Sequence, residues 1–435
     1  MLRYQGLCIV ALLGTAALTT AAYGGSSKAN ETSNIVVWSH GGATDAEKAA
    51  AKKIVQGFNS SQTAIKATLK FIPDQQKVIT ATSAAKLGDV VESDGEAMSA
   101  NVYAKKLQAL DGLVSQSVLD NQTASVTAQN TFAGDGKRYE VSIYDSGIAF
   151  YGNKKLLSAA GVKYPSTWDK AWTPEQFAGA LQKLAKKDKD KKVLDVKENY
   201  GLSGYSTYAW LPFISSAGHL VLENGKAEGA LNNSAVVAAF KQVATWKKFT
   251  DANADDKAFV TGRVALSLVG HWVYNDYKKA IGKNLVVIPL LNFGDGAKTG
   301  QGSLAWGISA GTKNAKAAGA FLDYAMSDQS VKTMTNANAA PPGTKTVTAS
   351  SPLYKKGGPL ELYATGLSKS CGNNAPSKDC IAVPRTISPG WPIINAKAGQ
   401  AMQDIWTGSN PKAALDKAAK AIDQDFTDND GYKVK

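Results

Sequence analysis

Apolar and polar positions alternate along this chain in blocks that switch between strand and helix periods. Residues 35–38 (Ile-Val-Val-Trp) form a short continuous apolar run, which predicts a buried strand. Residues 45–58 follow with apolar positions at Ala46, Ala50, Ile54 and Phe58, the spacing of one helix face. A second strand is predicted over 67–72, ending at Pro73, then a helix over 78–87 and a third strand over 89–92. Such alternation predicts a parallel sheet with helices on its faces. A second unit begins near Gly147, with a strand over 148–151 and a helix over 153–160 that stops at Gly161. Thr173 is placed to cap a helix that has Pro174 at its first position and runs to about 187. An amphipathic helix is predicted over 234–250, a buried strand at the end of 261–268, and another strand over 285–289. The segments 314–325 and 411–426 read as helices, and no internal repeat is present.

The first 34 residues have a different character. Arg3 precedes an apolar stretch over 7–17 and the small residues Thr20-Ala21-Ala22, the plan of an export signal over 1–22. Residues 18–27 resemble the lipobox region of bacterial lipoproteins, but Tyr23 stands where the acylated cysteine would be. Cys8 lies too early to replace it, so release without a lipid anchor is expected. Residues 23–34 read as a polar tether. No other segment approaches the roughly 18 apolar residues of a membrane-spanning helix. Once the signal is removed, Cys371 and Cys380 remain, flanking a polar octet over 372–379. Outside the cytoplasm such a pair is most simply a disulfide. The octet has no further metal ligands nearby, and His40, His219 and His271 lack ligand spacing, so no metal or cofactor is expected.

Length and charge narrow the picture further. At about 150 residues per domain, 435 residues make two or three domains. The hydrophobic fraction of 44% and charged fraction of 20% exclude a disordered or disulfide-dense chain. The net charge of +13 suggests a polyanionic partner, but only Arg3, Arg138, Arg263 and Arg385 are arginines. Nucleic-acid readers rely on the arginine fork, and the lysines here are scattered, so nucleic acid is not expected as a partner.

Several stretches carry a family likeness. They are Lys137-Arg138-Tyr139-Glu140-Val141 running into Gly147-Ile148-Ala149-Phe150-Tyr151-Gly152-Asn153-Lys154, and Pro165-Ser166-Thr167-Trp168. Others are Gly262-Arg263-Val264-Ala265-Leu266 with Gly270-His271-Trp272, Pro384-Arg385 to Trp391-Pro392, and Gly408 to Leu415. In this order the chain resembles the extracellular solute-binding proteins of ABC sugar importers, of the maltose-binding type. The resemblance implies a two-lobed α/β fold of the periplasmic-binding-protein kind (type II), with a hinge crossed three times and a ligand cleft between the lobes. Crossings are expected near 145, 300 and 345. The lobes then comprise 35–145 with 301–345, and 146–300 with 346–435. Function follows as capture of a mono- to oligosaccharide and delivery to the permease subunits in the membrane, by an exported, monomeric, non-catalytic protein.

Sugar rings offer apolar faces to aromatic side chains and hydroxyls to polar ones. Residues of both kinds at element ends are therefore the candidates. In the first lobe and at the first crossing they are Ser39, His40, Glu92, Asp94, Tyr144 and Asp145. In the second lobe and beyond they are Tyr205, Trp210, Trp272, Ser303, Trp306, Arg385 and Trp391. Trp38 and Trp246 sit in apolar periodic settings and are read as core. Trp272 fits a cleft or a core position equally, Trp306 could equally pack under a lobe, and Arg385 could be a structural ion-pair partner. Competing functions are a receptor for a peptide or polyamine and a secreted glycoside-acting enzyme. The enzyme would need two carboxylates about 5–10 Å apart, which no local motif marks.

Overall fold

The computed structural model of the protein describes residues 33–433, except positions 43 and 373. The export signal over 1–22, Tyr23 and most of the tether lie outside the described residues. Strand β1 (Ser33–Ser39) starts two residues inside the stretch read as tether. Its β-branched Ile35 and Val37 are buried at 1% and 0% exposure, so one strand face enters the core.

The first sheet has the order β2 (Ile65–Phe71), β1, β3 (Val90–Asp94), β11 (Leu304–Ser309), β4 (Leu107–Gln108), with β5 (Glu140–Tyr144) also paired to β11. The second has the order β7 (Leu194–Asp195), β8 (Leu266–Gly270), β6 (Ile148–Asn153), β9 (Leu285–Ile288). A short parallel pair, β10 (Thr299–Gln301) and β12 (Ala382–Pro384), joins the segment between β9 and β11 to the chain that follows the first sheet. The sheets are mixed, against the parallel sheet that the alternation predicts. In the first sheet β1 runs parallel to β2 and β3, while β11 is antiparallel to β3, β4 and β5; in the second, β7 is parallel to β8 and β6 antiparallel to β8 and β9. The cause is the hinge. Strands β1, β3 and β5 run toward it, whereas β11 returns from the second lobe and must start there.

Each sheet has its own hydrophobic core. In the first lobe the helix Asp45–Ser61 is started by a capping box between Thr44 and Glu47. It buries Ala50, Ala51, Ile54, Val55 and Phe58, but Ala46 is exposed, and Glu47 takes the buried position instead. Phe58 meets Phe321 and Tyr324 of the helix Ala315–Ala325, edge to face, at centroid distances of 5.2 and 5.6 Å. In the second lobe Phe177, on the capped helix Pro174–Ala185, packs against Trp246 at 5.0 Å, and Trp246 against Phe213 at 5.7 Å. The predicted helix over 234–250 is α-helical only for Ser234–Ala244 and ends in a 3₁₀ turn, Thr245–Phe249, that seats Trp246 in this core.

Residues of β5 belong to the first core and those of β6 to the second, those of β9 to the second and those of β11 to the first, and Val347 belongs to the first while Leu353 and Tyr354 pack with the second. Cys371 and Cys380 form a disulfide with Cα atoms 5.0 Å apart, just before β12. Replacing Cys371 by Ser opens a closed loop of about ten residues, and in the chain-entropy model that costs about 2–3 kcal/mol. Denaturant unfolding under oxidising conditions is expected to show that loss for Cys371→Ser, and none once the native protein has been reduced.

Candidate functional site

Strand ends converge on the space between the lobes. β1 delivers Ser39 and His40, β3 delivers Glu92 and Asp94, and β5 delivers Tyr144. From the second lobe β8 ends at Gly270 and is followed at once by His271 and Trp272, while Arg385 follows β12. The space holds a cavity of about 230 Å³. Of the sequence candidates, His40, Asp94, Tyr144, Tyr205, Trp272, Ser303 and Arg385 line it. Glu47, Ser146, Tyr208 and His271 line it as well and were not among them. Larger hollows of about 550 and 400 Å³ lie beside Trp168 and behind the hinge. The cleft is set apart by its chemistry. Among the described residues it alone of the three is bordered by residues with unpartnered buried polar atoms: His271 Nε2, Ser303 Oγ and Arg385 Nε.

Beneath the cleft floor sits Glu92, 3% exposed. One carboxylate oxygen accepts from Ser39 Oγ at 2.6 Å, the His40 backbone N–H at 3.0 Å and His40 Nδ1 at 2.8 Å. The other accepts from Trp306 Nε1 at 2.9 Å. Burial alone would push this carboxyl up, but His40, with help from Ser39 and Trp306, holds it below its ordinary value. Burial alone would likewise lower His40, but the facing Glu92 carboxylate outweighs it and raises the imidazole to about 9. The cleft therefore meets a ligand with a charged His40 that rests on a buried anion.

Ser39, Glu92 and Trp306 thus act under the site and do not line it. Trp306 is fully buried, stacked on Phe321 with the rings 5.4 Å apart and 7° from parallel. Trp210 is also a core residue. It is fully buried, and its ring lies 5.2 Å from Trp406, because it falls on the inner side of the turn between two second-lobe helices. Asp145 faces away from the cleft. Its carboxylate caps the Ser146 N–H at 2.8 Å and borders the hollow behind the hinge, while its neighbours Tyr144 and Ser146 border the cleft.

The second lobe contributes an aromatic wall. Tyr208 and Trp272 lie 6.2 Å apart with their planes 33° from parallel, and Trp272 Nε1 donates to Tyr200 Oη at 3.4 Å. Tyr205 is fixed by its hydroxyl donating to the Leu268 carbonyl at 2.9 Å, and Tyr208 by donating to Ser146 Oγ at 2.6 Å. Trp272 folds back over its own strand end, where a Cβ on Gly270 would come within 2.1 Å of the indole, so glycine is needed there. Arg385 crosses to the first lobe and pairs with Glu96 at 2.6 Å. Its guanidinium carbon sits 4.9 Å from the Tyr208 centroid and 5.9 Å from that of Trp391. Trp391, 4% exposed, thus backs Arg385 and does not line the cavity. Burial raises the Glu96 carboxyl to about 8 even against Arg385.

The model of the bacterial extracellular solute-binding protein family matches residues 53–360. The maltodextrin-binding protein MdxE of Bacillus subtilis is 29% identical over 208 residues, 45% of this chain and 47% of that protein. The chain thus spans about half the length of that relative. The multiple sugar-binding protein of Streptococcus mutans is 22% identical over 365 residues, 79% of this chain and 84% of the relative. Among solved structures, the GacH receptor of Streptomyces glaucescens superposes with a TM-score of 0.73 at 20% identity, over 92% of this chain and 99% of the other. A substrate-binding protein of Listeria monocytogenes in complex with cycloalternan gives 0.73 at 18% identity, over 91% and 100%. These likenesses establish the two-lobed fold.

The ion pair under the cleft has a pH signature. His40 is raised in the folded state, so the stability it contributes is full below its unfolded value near 6.5 and fades as pH rises through about 9. In Glu92→Gln the imidazole loses its anion and is expected to titrate at or below its ordinary value. Histidine NMR titration of the two proteins checks this, and the unfolding free energy of the variant should lack the decline between pH 6.5 and 9.

Proposed function

Because the chain belongs to the family of bacterial extracellular solute-binding proteins, we propose that its interlobe cleft captures a neutral carbohydrate for an ABC importer. The protein is an exported binding protein of the two-lobed kind, and the finer points are our reading. The observation that carries the carbohydrate is the conjunction of the aromatic wall with three unpartnered buried polar atoms. A saccharide presents apolar ring faces to Tyr205, Tyr208 and Trp272, and its hydroxyls both donate to His271 Nε2 and accept from Arg385 Nε. A purely apolar ligand would leave those atoms unsatisfied at a cost of about 1–3 kcal/mol each. The similar proteins point the same way by name, with maltodextrin, multiple sugars, acarbose and cycloalternan among their ligands.

A peptide or polyamine is the alternative. A polycation favours a cleft with several free carboxylates, whereas here Glu92 is engaged by His40, burial holds the Glu96 carboxyl up at about 8 beside Arg385, and both His40 and Arg385 bring positive charge. Glu92, closed off by four hydrogen bonds, is not available as a general base, so we read the cleft as non-catalytic. Ligand binding to the closed arrangement better than to the open one shifts the protein toward closure, and the closed form is what the permease recognises. We further propose that the protein acts as a monomer and, with Tyr23 in place of a lipobox cysteine, without a lipid anchor.

A melting-temperature screen of residues 24–435 against sugars, peptides and polyamines tests this reading. A dose-dependent rise is expected with one sugar class and no turnover of it. A rise with peptides or polyamines alone overturns the carbohydrate, and hydrolysis of the sugar overturns the binding-protein reading. Trp272→Ala, at a partly exposed position, should keep the circular dichroism spectrum and weaken sugar binding about tenfold, or about 1.4 kcal/mol, by calorimetry.

A further inference from the structure

His271 is a cleft residue with an unusual set of constraints. It is 1% exposed, borders the cleft cavity, and lies at the end of β8 in the second lobe. Its Nδ1 is 2.9 Å from the carbonyl oxygen of Asn338, the last residue of the first-lobe helix Asp328–Asn338. A carbonyl only accepts, so Nδ1 carries the hydrogen. Burial keeps the ring neutral, lowered to about 4. Nε2 is then a bare acceptor, and among the described residues it has no partner. The Tyr144 and Trp272 rings stand edge-on to the imidazole at 5.8 and 5.4 Å and fix its plane. Asn338 is held in turn, donating from Nδ2 to Glu47 Oε1 at 2.9 Å and accepting from the Ala340 N–H at 3.0 Å.

We propose that His271 determines specificity in the cleft, its Nε2 accepting the hydrogen of one sugar hydroxyl while its Nδ1–H ties the second lobe to the first. The proposal rests on the carbohydrate reading. An acceptor-only nitrogen selects for a donor at one point of the ligand, so a saccharide lacking that hydroxyl leaves Nε2 unsatisfied. Arg385 Nε, a donor-only atom, sets the opposite demand elsewhere in the same cavity. Because one ring makes both bonds, a hydroxyl bound at Nε2 polarises the ring and strengthens the bond to Asn338. Occupancy and lobe register are thereby linked through a single side chain.

The test compares the sugar found in the melting screen with its monodeoxy analogues, on the native protein and on His271→Asn, by calorimetry. Asparagine keeps a donor near Nδ1 and, being shorter, places no acceptor where Nε2 stands. The native protein is expected to bind one analogue about ten- to a hundredfold more weakly than the parent sugar. His271→Asn is expected to bind the parent sugar that much more weakly and no longer to distinguish it from that analogue. A variant that weakens parent and analogues alike, keeping the discrimination, overturns the proposal and leaves the carbohydrate reading standing. If no sugar binds the native protein, that reading falls and the proposal with it. Should the variant fail to fold, ¹⁵N-histidine NMR of the native protein decides. A sugar-dependent shift of the His271 Nε2 resonance supports the proposal, and an unmoved resonance under saturating sugar overturns it.

Discussion

An ionised carboxylate cannot rest under a partly dry cleft unless donors converge on it, and Glu92 shows how much of the chain that demand organises. Its four hydrogen bonds come from the end of β1, through Ser39 and His40, and from β11, through Trp306. Trp306 lies 214 residues along the chain from Glu92 and reaches it only after the second lobe has been built. The pairing of β11 with β3 puts Trp306 opposite Glu92 in register, so the returning strand both closes the first sheet and satisfies the buried anion. Removing one partner of such a pair costs about 3–5 kcal/mol, because the other stays buried and unpaired. The charge on His40 follows from the same arrangement, and with it one pole of the cleft.

Around that anchor the two lobes divide the chemistry. The first supplies polar and charged groups: His40 over Glu92, the Glu96 carboxyl against Arg385, and Asp94 at the cavity wall. The second supplies aromatic faces, with Tyr205, Tyr208 and Trp272 each held by a hydrogen bond and Tyr208 also covered by the Arg385 guanidinium. Neither lobe alone provides both kinds of surface, and the cavity between them brings the aromatic faces and the polar groups together.

The elements that depend on local signals were legible in the chain. Thr173 starts a helix where the capping pattern predicts it, and the period of apolar residues locates β1, β6 and the helix Pro411–Asp428. What failed depends on long-range placement. Trp210 and Trp306 look alike to Trp272 in sequence, since each is an aromatic residue at an element end. The burial of the first two is decided by Trp406 and Phe321, about 200 and 15 positions away. Tyr208 and Ser146 escaped notice for the same reason, since their bond spans 62 residues. His271 carried a usable signal, its place beside Trp272 after the glycine, but its free nitrogen becomes visible only once Asn338 is known to occupy the other.

The hinge segment also has mechanical meaning. Tyr144 and Ser146 face the cleft while Asp145 faces the hollow of about 400 Å³ on the opposite side, whose walls come from both lobes: Ser125 and Thr348 from the first, Leu367 and Cys371 from the second. Residue 145 therefore stands between two hollows on opposite sides of the segment, so a rotation of one lobe against the other about it would narrow one while widening the other. An optical reporter at the rear hollow would register such a rotation without touching the cleft.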